Sequence, residues 1–449
     1  MYKIVLAFRY MFKRRISYIA FVSLSLCVFI VVVVMTVMAG LVSDFRDKNH
    51  SFTGDCIVGT DSLVGFPYYE NFLNILEQQD FIQAASPVIK SYALFSPSWT
   101  QESYGFEVMG IEPARHAKVT GFAETLHYRK SNVSKAFEPL YNSELDGGIF
   151  GVEILLNRDV NGHYSYSSSP AHDAWTASFV PLTAKGAPAK AGAGEVSTKT
   201  FYTSDYSHSG LARIDNSLVY LPFEQAQLLT GMAGQEKRVS AIHIKFKPKV
   251  NIDEGSQKVS MLWADFTEKK SGAGNAALLD NVTVQSWKIY RRSFIAAMEK
   301  EQMMMTVLFA LMGITTVFII LVIFYMIINH KSKDIGILKS IGVSNANIIQ
   351  LFLCFAGVVA FLGSAVGLFA GWVFLAKINN IENWLFEHFG FQLWDRTIYA
   401  IGNIPSQMAP HVVLVIVISA FFVCLAGAAL PSWLASRQKP VETLQVSQL

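Results

Sequence analysis

Four stretches of this chain are almost free of charge and long enough to cross a bilayer, which restricts what the rest can fold into. They fall at 17–42, 302–329, 348–376 and 412–433, each reaching the ~20 apolar residues that the hydrocarbon core demands of a helix. With 52% hydrophobic and 16% charged residues the whole chain is too apolar for a soluble protein of its size. The sequence therefore reads as an α-helical membrane protein with four transmembrane helices, plus a large α+β extracytoplasmic domain between the first and the second.

A basic stretch, Lys13, Arg14 and Arg15, precedes the first run as it would in a secretory signal. That run is too long for a signal core and no small-x-small site closes it, so it reads as a retained anchor. Lys3 and Arg9 join those three before the first run; Lys331, Lys333 and Lys339 separate the second from the third; Arg437 and Lys439 follow the fourth. Residues 377–411 instead hold Glu382, Glu387 and Asp395 against Lys377 and Arg396. The positive-inside bias places both termini and the 330–347 loop in the cytoplasm.

The expected order is a cytoplasmic amphipathic segment 1–16, helix 17–42, outer domain 43–301, helix 302–329, cytoplasmic loop 330–347, helix 348–376, outer loop 377–411, helix 412–433 and cytoplasmic tail 434–449. The net charge of +3 is accounted for by the flanks of the spans, and nothing points to nucleic acid.

In the outer domain, DCIVGT (55–60) reads as a strand and YYENFLNILEQQD (68–80) as a helix, with Phe72, Leu73 and Leu76 at helical spacing. VSAIHIKFKP (239–248) alternates like a strand and KVSMLWADFTEKK (258–270) returns to a helical period, which fits two α+β lobes or one split lobe. NSLVYLPFEQAQLL (216–229) reads as a strand, a turn at Pro222 and a helix start. Residues 161–212 are rich in Ser, Ala, Gly and Pro, and read as a low-complexity insertion that buries little. Of four cysteines only Cys56 lies outside the spans, so no disulfide can staple the domain by itself. Its stability must come from the core that roughly 250 residues can supply.

No nucleotide-binding, hydrolase or metalloprotease signature is present, and nothing calls for a metal or a cofactor. His163, His172 and His208 read as surface residues of the insertion, and Glu102, Glu107 and Glu112 as solvated positions rather than an acid–base set. The spans lack ionisable residues at depth, which argues against ion- or proton-coupled transport. Gly363, Gly367 and Gly371 line one helical face and invite close helix approach, within the subunit ahead of a dimer seam. Val31 to Val34 and Met303 to Met305 present bulky or adaptable side chains to lipid or to acyl chains.

HKSKDIGILKSIG (330–342) is the most patterned segment. As a helix it sets Ile335, Leu338 and Ile341 in one apolar ridge among Lys331, Lys333, Asp334 and Lys339, with Gly342 as the stop. A basic helix resting on lipid headgroups is the plainer account. Asp334 and Gly336 fit better with a ridge that enters a groove on a cytoplasmic partner.

The order of one span, a large outer domain and three spans, with DIGILKSIGVS followed by the glycine stripe, resembles the FtsX/MacB-like permeases of ABC transporters. FRYMFKRRISYIAFVSLSL, VMTVMAGL, VMGIEPARH (108–116), MEKEQMMMTVLFALMG and PSWLASRQKPVETL (431–444) resemble the lipoprotein-releasing, LolC/LolE type in particular. Ala39 stands where that family often has Asn, and the insertion has no evident counterpart.

The resemblance implies a non-catalytic permease in a bacterial inner membrane, driven by a separate cytoplasmic ABC ATPase. It implies that Lys333, Asp334, Ile335, Gly336, Ile337, Leu338, Lys339 and Gly342 form the helix that docks into that ATPase. A second permease copy or paralogue, a lipoprotein substrate and a periplasmic lipoprotein chaperone would be the other partners, with membrane lipid around the spans. Val33, Val37, Leu41, Met304, Leu308 and Leu311 are expected from their depth to border an acyl-chain cavity. Two other roles sit on the same fold: an FtsX-like regulator of a peptidoglycan hydrolase, and a MacB-like efflux permease.

Overall fold

The computed structural model describes residues 15–157, 164–189, 196–272, 274–389 and 404–437. Residues 1–14 of the expected N-terminal segment, the tail beyond Arg437, residues 158–160, residues 161–163 and 190–195 of the expected insertion, residue 273 and residues 390–403 of the expected outer loop lie outside the described residues. In chain order the longer helices are α1 (Arg15–Thr53), α2 (Tyr69–Glu77), α3 (Pro113–Val119), α4 (Phe223–Leu229), α5 (Ile252–Lys270), α6 (Arg292–His330), α7 (Ser332–Ser340), α8 (Asn345–Phe389) and α9 (Pro410–Arg437). The strands are β1 (Cys56–Gly59), β2 (Phe66–Pro67), β3 (Ile82–Pro97), β4 (Tyr104–Ile111), β5 (Gly147–Gly151), β6 (Ala174–Phe179), β7 (Ser197–Ser207), β8 (Leu218–Pro222), β9 (Arg238–Val239), β10 (Ala241–Phe246) and β11 (Thr283–Ser286). The chain divides into a helical unit and an α+β unit, the latter spanning Asp44–Ala296.

In the helical unit α1, α6, α8 and α9 are each long and apolar enough to cross a membrane. At about 1.5 Å per residue, α1 and α6 outrun the ~30 Å hydrocarbon core, being 39 residues each. The 45-residue α8 continues past its apolar stretch through Asn379 and Glu382 to Phe389. Asn379 fastens the chain where it returns: its side-chain carbonyl accepts from Ile404 N–H at 2.8 Å and its amide donates to Ile404 O at 3.3 Å. Buried Val28, Val32, Phe324, Phe355, Val359 and Cys424 make up much of the shared core of these helices. Pro431 sits inside α9 and removes the N–H that would bond residue 427. Gly427 itself lies so close to α6 that a Cβ there would come within 2.8 Å of Val317 O.

The α+β unit is built on one nine-stranded sheet in the order β11-β1-β10-β3-β4-β8-β5-β7-β6, and β6 pairs back onto β3. Six strands, β3, β4, β8, β5, β7 and β6, therefore close into a small barrel, with β10, β1 and β11 extending from the first half of β3. As in other narrow barrels, side chains fill the interior: Phe95, Phe150, Trp175 and Phe201 are buried there, with the Phe150 and Trp175 rings 5.2 Å apart.

Here the structure corrects the reading of 161–212 as an insertion that buries little. Strands β6 and β7 are two staves of the barrel, and Trp175, Ala177, Phe179 and Phe201 belong to the main core. The Ser and Thr between them point outward, as with the Thr176–Thr200 hydroxyl pair, so the composition reflects one solvated face of a real strand pair. The domain also carries one nine-stranded sheet, with β2 and β9 as a separate two-stranded pair, rather than two lobes.

One face of the sheet is covered by α2, α4 and α5. Tyr69, Phe72, Leu73 and Leu76 give α2 its buried side, and Phe72 packs edge-on against Trp263 of α5 at 4.7 Å. The Asn251 side chain caps α5 by accepting from Asp253 N–H at 2.9 Å. On the other face, Val88, Met109, Ile111, Phe122 and Tyr220 form a second core, against which Phe45 and Phe52 from the end of α1 pack.

Candidate functional site

The short helix α7 is held by a turn chemistry that its sequence spells out. Asp334 sits in its first turn, where a carboxylate suits the positive end of the helix dipole, and pairs with Lys331. At the other end Gly342 adopts φ +96°. Its N–H donates to Lys339 O at 3.0 Å, and Val343 N–H donates to Leu338 O at 3.1 Å, the paired bonds of a Schellman stop. Without a Cβ, Gly342 takes this left-handed conformation at little cost.

The faces of α7 divide differently from the expected ridge. Ile335 is 2% exposed and sits in a cluster with Ile328 of α6, Ile348 and Phe352 of α8 and Ala435 of α9. Gly336 is buried beside it. Ile337 and Ile341, one helical turn apart, are 50% and 76% exposed. The apolar pair that faces outward is thus Ile337 and Ile341, whereas Ile335 is an anchor and does not share an exposed ridge with Leu338 and Ile341. Three neighbouring helices cover one side of α7, and periodicity alone could not say which side. Lys333 is exposed in the first turn of α7, and Leu338 and Lys339 are half-buried.

The glycine stripe of α8 faces α1. A Cβ on Gly363 would come 3.1 Å from Leu24, on Gly367 2.5 Å from Ser25 O, and on Gly371 3.1 Å from Val32. All three contacts are within the subunit, and the close approach trades side-chain volume for backbone proximity.

An apolar cavity of about 370 Å³ lies among α1, α6 and α9, lined by residues that include Leu24, Val31, Phe309, Val317, Ile416 and Val423. None of the six residues expected from depth borders it. Val33 and Val37 are partly buried against the helical core and Leu41 is buried, while Met304, Leu308 and Leu311 are exposed. Depth fixes how far along a helix a residue sits, whereas rotation about the axis decides what it faces, and α6 turns Met304, Leu308 and Leu311 away from α1.

In the α+β unit, Glu102, Glu107 and Glu112 lie apart: Glu102 meets the Tyr104 hydroxyl, Glu107 stands opposite Tyr92 on β3, and Glu112 approaches Arg115 at 3.9 Å. His172 and His208 are exposed, and His163 lies outside the described residues. Among the described residues no group of three or more His, Cys, Asp or Glu could hold a metal ion. The histidines that sequence reasoning missed are His116 and His243, both fully buried with rings 5.7 Å apart. Burial, reinforced by Lys90, pushes His116 down to about 3 and holds His243 well below the ordinary imidazole range. The only signal was that His243 occupies the polar slot of AIHIKF, a slot the fold turned inward.

Residues 306–440, which contain α7, the glycine stripe and most of the cavity wall, match the FtsX-like permease C-terminal family. The lipoprotein-releasing system transmembrane protein LolC of Neisseria meningitidis serogroup B is 23% identical over 440 residues, covering 97% of this chain and 95% of the relative. LolC of Xylella fastidiosa is 22% identical over 443 residues, covering 96% of each. The periplasmic region of MacB from Actinobacillus actinomycetemcomitans aligns with 56% of this chain and 97% of its own at 11% identity and a TM-score of 0.30, too distant to bear on the fold. A patterned short helix between two apolar ones lies inside a segment that matches the FtsX-like permease C-terminal family, and over nearly its whole length this chain is similar to the lipoprotein-releasing LolC proteins.

Proposed function

We propose that this chain is the permease subunit of an ATP-driven transporter that extracts lipoproteins from the outer leaflet of the bacterial inner membrane and passes them to a periplasmic chaperone. Both termini and α7 would face the cytoplasm, and the α+β unit the periplasm. The observation that carries the reading is the division of α7: Ile335 fixes it to three helices, while Ile337 and Ile341 remain outside. A helix anchored on one side with an apolar pair on the other fits a groove on a partner, here a separate cytoplasmic ATPase. ATP-driven closure of two such ATPases would push α7, and because α7 is packed on α6, α8 and α9 the push would reach the spans. A second permease, identical or paralogous, would complete the assembly. The chain itself would perform no chemistry and needs no cofactor.

The relatives named as parts of a lipoprotein-releasing system support the substrate assignment. Depletion of the protein followed by membrane fractionation tests it. Accumulation of outer-membrane lipoproteins in the inner membrane, with normal division, is the expected result. An unchanged lipoprotein distribution would sink the assignment and leave efflux or control of a peptidoglycan hydrolase on the same fold.

A further inference from the structure

His243 lies mid-strand in β10, opposite Ile57 of β1 and Ser86 of β3. Its ring meets that of His116 on α3 at 5.7 Å. Both His243 ring nitrogens and His116 Nδ1 are buried with no hydrogen-bond partner. Neutral imidazole tolerates this poorly and imidazolium far worse, because a charge in such a place has neither solvent nor counter-ion.

The other ionisable groups turned towards this pair make protonation harder. Lys90 of β3, which meets the Tyr290 hydroxyl, acts on both rings, and Arg291 ahead of α6 acts on His243. Glu107 of β4 and Tyr220 of β8 bear on Arg291, as does the cationic Arg213, so the carboxylate does not neutralise the imidazoles. On α3, Arg115 is committed to Ala85 O at 2.7 Å and to Glu77. On α1, Lys48 is committed to Asp44 at 2.8 Å.

The same sheet face is where the ends of two long helices rest. Phe45 and Phe52 of α1 pack on it, the Arg291 guanidinium stacks over the Phe52 ring at 4.7 Å, and Ile295 of α6 joins Ile57, Ala241 and Trp287. We propose that the His116–His243 pair makes the seating of these helix ends, residues 44–53 and 291–296, sensitive to protons, so that mild acid favours a state in which they lift from the sheet and the imidazoles are wetted.

The size follows from linkage. A wetted imidazole titrates near ~6.5, so acidification below that value favours the open state and leaves the closed state unprotonated. Two such groups multiply the open-to-closed ratio by about 100-fold between pH 7.5 and 5.5, and one group by about 10-fold. Asp215, which burial pushes up to about 6, works in the opposite direction: its closed form binds the proton more tightly, so acid would tighten its loop.

Hydrogen exchange of the full chain in lipid nanodiscs tests this, with peptides covering 44–55, 113–120 and 238–247 followed at pH 7.5 and 5.5 and corrected for intrinsic exchange. The expected result is a rise in opening of about 100-fold in the native protein, reduced to about 10-fold in His243→Leu and in His116→Leu. Opening that is equal at the two pH values, or a rise that both substitutions leave intact, overturns the proposal. Should the leucine variants not fold, the native comparison alone decides it.

Discussion

His50 Nε2 donates to Asp55 Oδ1 at 2.6 Å, and Lys245 Nζ reaches the same oxygen at 3.1 Å. Asp55 Oδ2 accepts from Phe246 N–H at 2.7 Å. His50 lies in the last turn of α1, where a cation is favoured, and its ring stacks on Trp287 at 4.6 Å. One carboxylate thus ties the end of a long helix to strand β10.

Burial alone would raise the Asp55 carboxyl, but His50, the Phe246 amide and Lys245 together hold it below its ordinary 3.8. A depressed carboxylate stabilises the fold above its unfolded value, and that contribution is lost as pH falls through the folded one. Asp55→Asn is expected to cost about 2 kcal/mol at pH 7, and the difference from the native protein should begin to shrink only as pH falls below 3.8, towards the lower folded value. Urea unfolding of the full chain at the two pH values measures both.

The divided faces of α7 separate anchoring from docking. Ile335→Ala removes a buried side chain and should cost about 2–5 kcal/mol in unfolding experiments. Ile337→Asp and Ile341→Asp, at exposed positions, should leave thermal stability within about 0.5 kcal/mol. On the proposed function the two aspartate variants abolish co-purification of the ATPase, and retention of the ATPase by both would refute the docking role.

Gly342 terminates α7 with a left-handed φ of +96°. Gly342→Ala should cost about 1–2 kcal/mol locally, seen as faster amide exchange at Gly342 and Val343, whose N–H groups close the stop. Unchanged exchange would mean that the chain exits the helix by another route.

The glycine stripe predicts a graded series. At Gly367 a new Cβ meets the Ser25 backbone oxygen at 2.5 Å, whereas at Gly363 it meets the movable end of Leu24 at 3.1 Å. Gly367→Ala should lower stability by about 1–3 kcal/mol and Gly363→Ala by clearly less. Thermal unfolding of the two variants in the same detergent gives the order.

The four membrane-crossing helices were legible because a run of apolar residues longer than a bilayer is thick leaves no other structure open to it. The strand–helix pairs around 55–80 and 239–270 were legible for a similar reason: Phe72, Leu73 and Leu76, or Ile242, Ile244 and Phe246, can be buried together only with one period. What escaped depended on the partner rather than the element. Trp175 and Phe179 sit among Ser, Thr and Ala, and only closure against β3 makes them core. Ile335 and Ile341 share a helical face by spacing, yet the surfaces of α6, α8 and α9 cover the first and leave the second. Which side chains line the cavity among α1, α6 and α9 was likewise not legible, since nothing in α1 or α6 alone specifies their mutual rotation.

Strand β3 runs unbroken for 16 residues, its first half in the open β10 side of the sheet and its second half in the ring that β6 closes. Two stacked sheets can slide past each other, but one covalent strand cannot slip relative to itself. The open and closed parts of the sheet are therefore joined by continuous backbone, so that the register of one fixes the register of the other.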